Sequence, residues 1–157
     1  KDEYRFMLDN FYPYLRHSDY FIEYVIRSYT DPKEIGNVMK VKPQNLSLEE
    51  FYAYAMTLEP GSPEFVEVFE TAVRMYPTDE AANLNAANTA MSRGDMNNAL
   101  RYLDKAGNSI EAEYARGVYE FLQENYDAAK EIFEKVLKAG VEQAREPIEK
   151  INKYNKL

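Results

Sequence analysis

Residues 114–140, YARGVYEFLQENYDAAKEIFEKVLKAG, decide the reading of this chain. Two amphipathic helical patterns meet there at a short polar break, Glu124 and Asn125. Before the break Tyr114, Val118, Phe121 and Leu122 recur at spacings of three and four. After it Ala128, Ala129, Ile132, Phe133, Val136 and Leu137 do the same. Gly140 supplies the stop signal, since glycine enters the left-handed region that ends a helix without a steric penalty. A helical pair of this kind cannot bury both faces alone, so the rest of the chain has to supply neighbours that stack on it.

Two earlier stretches repeat the pattern. NLNAANTAMSRGDMNNALRYLDKAG holds Ala87, Gly94, Ala99, Leu103 and Ala106 in corresponding slots, and LSLEEFYAYAMTLEPGSPEFVEVFETAVRMYP holds Ala53, Phe65, Phe69, Ala72 and Pro77. The step from Phe69 to Leu103 is 34 residues and that from Leu103 to Phe133 is 30, so the middle copy has a shortened second helix. Small and aromatic positions recurring in this register resemble the tetratricopeptide repeat, a helical hairpin of about 34 residues. Gly117 stands at the small position of its first helix. Tyr126, Ala129, Phe133 and Val136 stand at the aromatic, alanine, aromatic and small positions of its second. Val136 and Phe65 depart from the alanines usual in the family, and Phe65 bears on how tightly the first hairpin closes. The copies span residues 46–140.

Composition narrows the function. The chain has 157 residues, enough to bury a real core in one or two domains. Its 27 acidic and 19 basic residues give a net charge of −8, which argues against nucleic acid as a partner. Residues 1–45 are balanced, seven acids to seven bases, whereas 46–157 hold twenty to twelve, a solubilising surface on the helical part. No cysteine is present, so neither a disulfide nor a thiolate metal site is available. No apolar run reaches the length of a membrane span. The sequence starts at Lys1 with neither an initiator Met nor a signal peptide, which reads as a fragment or a processed product.

In chain order, Tyr4, Met7, Leu8, Phe11 and Tyr12 fit one face of a helix ended by Pro13. The stretch from Tyr20 to Tyr29 alternates with period two and is rich in aromatic and β-branched residues, the pattern of a strand. A lone strand needs a partner, and a second copy of the chain pairing into a homodimer is one way to supply it. Thr30 or Asp31 caps a short helix with Pro32 in its first turn, and Pro43–Asn45 is a joint. Ser47 and Glu50 form a capping box. Asn45–Leu46–Ser47 also spells a glycosylation sequon, but capping explains Ser47 better. Ser62 with Pro63, then Thr78 or Asp79, then Asn108 or Ser109, open the following helices. Gly94, like Gly140, ends one. Pro147 forces a break near Glu146, and residues 141–157 read as a terminal capping helix.

The order of the pieces, an aromatic segment with DYFIEYVIR, a short helix, then the repeats, also resembles the carboxyl-terminal part of bacterial envelope proteins. In these an OmpA-like or uncharacterised domain precedes tetratricopeptide-like helices. That resemblance implies that residues 1–45 end an upstream domain and that the protein is periplasmic or associated with the outer membrane. The peptidoglycan-holding aspartate and arginine of OmpA-like domains have no counterpart here.

Catalytic chemistry finds little support. His17 is the only histidine, set in a polar turn between Arg16 and Ser18. Acid pairs such as Glu67 with Glu70 and Glu131 with Glu134 lack histidine companions and read as solvated helix faces. No phosphate-binding glycine loop occurs. The expectation is a non-enzyme with no catalytic residue, metal or cofactor.

A binding role is more concrete. The tetratricopeptide resemblance implies a groove lined by the first helices of successive hairpins, here Glu50, Tyr54, Leu84, Asn85, Asn88, Tyr114, Val118 and Phe121. Asn85 and Asn88 offer donors and acceptors to a peptide backbone, and the aromatic rings offer flat apolar area. The alternative is that these side chains pack between hairpins. Some relatives clamp a terminal carboxylate with cations; the matching slots here hold Glu50, Glu111 and Ala115, although Asn85 fits one of the asparagines. A neutral or basic protein or peptide is therefore the expected partner. The fold expected is mostly α: stacked hairpins over 46–140, after a helix-strand segment in 1–45 and before a capping helix in 141–157. Its function would be an interaction scaffold or, alternatively, a structural array that packs on an upstream domain or a second copy.

Overall fold

The computed structural model describes Arg5 and residues 27–154. Among these residues the protein is helical and contains no strand. Eight α-helices follow in order: α1 (Pro32–Val41), α2 (Leu48–Ala55), α3 (Pro63–Met75), α4 (Glu80–Ser92), α5 (Met96–Leu103), α6 (Ile110–Leu122), α7 (Tyr126–Lys138) and α8 (Arg145–Tyr154). Single 3-10 turns at Pro43–Asn45 and Glu142–Ala144 lead into α2 and α8.

The helix expected near Tyr4, His17 and most of the Tyr20–Tyr29 strand lie outside the described residues. The described end of that stretch, Arg27–Tyr29, has no regular secondary structure. There the Tyr29 N–H donates to Oε1 of Glu50 at 2.5 Å, so it serves a side chain rather than a strand ladder. Arg27 pairs with Glu34 and lies over the Tyr29 ring at 5.0 Å, holding the incoming chain on α1 and α2.

The helix starts follow from capping chemistry. Asp31 accepts from the Lys33 N–H and settles the choice with Thr30; Asp79 and Ser109 likewise accept from Ala82 and Ala112. Ser47 Oγ accepts from Glu50 N–H at 3.3 Å while Glu50 Oε2 accepts from Ser47 N–H at 2.7 Å, completing the capping box. Pro147 is the third residue of α8, where its missing N–H would have had no intrahelical partner. The helix ends use one turn three times. Gly94 (φ 74°), Glu124 (φ 63°) and Gly140 (φ 102°) each follow a helix in the left-handed region. In each, the next residue's N–H reaches back to the last helical turn: Asp95 to Ala90 O, Asn125 to Glu120 O, Val141 to Val136 O.

Each helix packs on its successor, and α4 also touches α6, so the array is a stack with local connections. Three apolar clusters run along it. Ile35, Leu46, Phe51 and Val68 centre the first, between α1 and α3. Ala87, Ala90, Ala99, Leu103 and Ala115 fill the second, among α4, α5 and α6. Phe133, Val136, Ala144 and Ile151 fill the third, among α6, α7 and α8. Small residues set the helix spacing: a Cβ added to Gly117 would lie 2.8 Å from the Phe133 ring, and one on Gly36 would lie 2.7 Å from the Tyr54 hydroxyl. α5 has eight residues where α7 has thirteen, in keeping with the shortened middle copy.

Candidate functional site

Helix α4 is capped by Asp79 and α6 by Ser109, and the two lie side by side. Their facing stripes follow from helical spacing. Leu84 and Asn88 are four apart on α4; Glu111, Tyr114, Ala115 and Val118 keep spacings of three and four on α6. Between them opens a cleft of about 540 Å³, closed at one side by Gly140, Val141 and Gln143 of the turn after α7. Its floor is apolar, because Leu84 packs on the second cluster, Tyr114 on the third, and Val118 on both. Asn88, Glu111 and Gln143 are exposed at its rim.

Four of the eight groove candidates, Leu84, Asn88, Tyr114 and Val118, thus come together in one cleft. The other four sit elsewhere. Glu50 is 8% exposed and its carboxylate is taken up by the Ser47 and Tyr29 N–H groups. Burial alone would raise its pKa, but these donors, with the Ser47 and Ser28 hydroxyls, hold it below the ordinary 4.5. Tyr54 packs against Gly36 of α1 and leans on the first cluster. Asn85 is half-buried; its carbonyl accepts from Thr89 Oγ1 at 2.9 Å, and its side chain lies by the buried Tyr52 hydroxyl, which completes no hydrogen bond. Burial raises the Tyr52 pKa, and the neighbouring Asn85 amide offsets part of that rise. Phe121 meets the Tyr126 ring at 5.6 Å across the α6–α7 turn.

Glu111 and Ala115, which hold clamp slots without supplying a cation, do line the cleft. The contribution of Gly140, Val141 and Gln143 is not visible in the helical pattern. Its one signal is an apolar residue directly after the stopping glycine, a position that commonly packs back onto its helix. Asn83, one turn into α4, is a buried polar residue that the helical pattern does not mark. It is 1% exposed and its Nδ2 donates to Pro77 O at 3.1 Å and Asp79 O at 2.7 Å, pinning the α3–α4 turn.

Elsewhere several charged groups are engaged in structure. Arg116 donates to Leu103 O at 3.0 Å and Gly107 O at 2.6 Å, satisfying carbonyls at and beyond the end of α5, and pairs with Glu113, which also holds Lys135 at 2.7 Å. The hydrogen bond from Lys135 keeps the Glu113 carboxyl below its ordinary range. Glu70 pairs with Arg93 at 2.7 Å. Among the described residues no three of His, Cys, Asp and Glu are grouped as a metal ion requires, and no helix is long and apolar enough to cross a membrane.

Compared with known proteins, the chain matches no family model and no curated sequence.

Proposed function

We propose that the chain is a non-enzymatic, tetratricopeptide-type interaction scaffold that holds a protein or peptide segment in a bacterial envelope assembly. The observation that carries this reading is the cleft between α4 and α6, the first helices of two successive hairpins. It has an apolar floor and an amide-bearing rim, the combination that seats a side chain while engaging a peptide backbone. The repeated small residues at Ala87 and Gly117, and the thrice-used turn, support the repeat assignment. The envelope setting rests on the order of the sequence segments alone.

The test is affinity capture from an envelope extract with the chain and with its Asn88→Ala, Gln143→Ala double variant, both side chains being exposed and dispensable for packing. A partner retained by the first and lost by a folded double variant supports recruitment in the cleft. Equal capture by both speaks against it.

A structural reading is favoured by one observation: Val41 and Met56, 75% and 85% exposed, leave apolar surface at the α1–α2 end. If that end packs on an upstream domain or a second copy, light scattering of the chain reports a dimer or larger species that Met56→Lys returns to a monomer.

A further inference from the structure

Resting on the reading of the cleft as a recruitment site, we infer that its occupant is an extended peptide segment that places an aliphatic side chain next to a lysine or arginine. A helical segment has its backbone groups already hydrogen-bonded, whereas the rim amides of Asn88 and Gln143 match the free N–H and C=O groups of an extended one. One helical turn with its side chains, about 10 Å across and 5.4 Å tall, fills on the order of 400 Å³. A cleft of about 540 Å³ therefore takes a short segment with one or two inserted side chains. The floor of Leu84, Tyr114 and Val118 is apolar and, with Val141 at its side, mostly aliphatic, so the inserted chain is apolar.

The charge of the rim then selects the neighbour. Among the described residues Glu111 is the only charged one lining the cleft, it is exposed, and none of them pairs with it. Glu113, also on α6, is already engaged: it holds both Arg116 and Lys135. Among the described residues no lysine or arginine lines the cleft to receive a carboxylate or phosphate. A ligand cation beside Glu111 meets an unneutralised carboxylate, whereas a ligand anion there is repelled by it and by a chain of net charge −8. Asn88 on α4 and Gln143 in the turn after α7 are left to hydrogen-bond the backbone of the segment.

The test is a methyl-labelled NMR titration with three end-blocked hexapeptides, centred on lysine–leucine, glutamate–leucine and lysine–serine. The lysine–leucine peptide should shift the Leu84, Val118 and Val141 methyls, with the other two at least severalfold weaker. Glu111→Gln should weaken it about threefold at low salt, the size expected of one exposed ion pair, and the difference should vanish near 1 M salt. If glutamate–leucine binds as well, or Glu111→Gln changes nothing, the cationic inference is overturned while the cleft stands. If no peptide moves a cleft methyl, both fail together.

Discussion

The α4–α5 and α6–α7 hairpins run thirty residues apart on one plan, yet they close differently. In the first, Ala87 of α4 faces a second helix whose buried anchor is Leu103. In the second, Gly117 faces Phe133, and a Cβ at Gly117 would lie 2.8 Å from that ring. The pair of positions trades volume: a larger anchor on the second helix requires a smaller contact on the first. The turn shows the same substitution of means. Gly94 takes φ 74° freely, while Glu124 is driven to φ 63° in the matching turn. The α6–α7 hairpin thus gains a large aromatic core residue and bears backbone strain.

The largest effects should fall on the anchors. Phe133→Ala is expected to destabilise by about 3–5 kcal/mol and Leu103→Ala by about 2–5 kcal/mol. Both are nearly fully buried, 1% and 2% exposed, so the aromatic truncation should exceed the aliphatic one in urea unfolding. A larger loss at Leu103 would mean that the alanine-rich cluster of α4–α6, rather than the aromatic one, dominates the array.

The volume trade gives a sharper test. Gly117→Ala improves helix propensity by about 1 kcal/mol, but the overpacking against Phe133 costs about 1–3 kcal/mol. Phe133→Leu removes the ring that the new methyl would meet. The double variant should therefore be more stable than the sum of the single changes, by about 1–2 kcal/mol of coupling. Strict additivity would show that Gly117 is not held small by Phe133.

The strain in the matching turns predicts opposite changes of smaller size. Glu124→Gly should stabilise by about 1 kcal/mol, since a left-handed L-residue costs about that much over glycine. Gly94→Ala should destabilise by a similar amount. Both sites are exposed, so thermal unfolding reports the backbone term with little change in packing.

Much of this fold was legible in the residues. Periodicity placed the helices over 46–140, and the Ser47–Glu50 spacing specified a capping box that forms as expected. Four cleft residues were readable because α4 and α6 repeat one helical face. Glu50 was not, because the helix pattern sees only its position, whereas a contact 21 residues away, with the Tyr29 N–H, draws its carboxylate into a buried role. Asn85 escaped similarly: its exposure is set by Tyr52, on a helix two elements earlier. Gly140–Gln143 joined the cleft only through the path of the chain after α7, which no local period encodes. Glu124 was legible as a polar break but not as a left-handed residue, since nothing in its side chain favours that conformation.

The smallest expected difference between the hairpins is electrostatic. Glu113 on α6 is held below its ordinary pKa chiefly by the Lys135 hydrogen bond from α7, whereas Asp95 is held low chiefly by Asn98, one turn along its own helix. Both carboxyls have a folded pKa below the unfolded one, so each contributes stability that is present above the unfolded value and is lost as pH falls through the folded value. The two differ in salt response. An ammonium–carboxylate pair with Lys135 at 70% exposure is worth about 0.2–1 kcal/mol and is screened by salt; a cap made by an amide and a backbone N–H is not. Lys135→Ala should therefore flatten the loss of stability on acidification below 4.5 at low salt and do little near 1 M salt, whereas Asn98→Ala should act at both. Equal salt dependence for the two variants would mean that the cross-hairpin ion pair contributes nothing specific to the closure of α6 on α7.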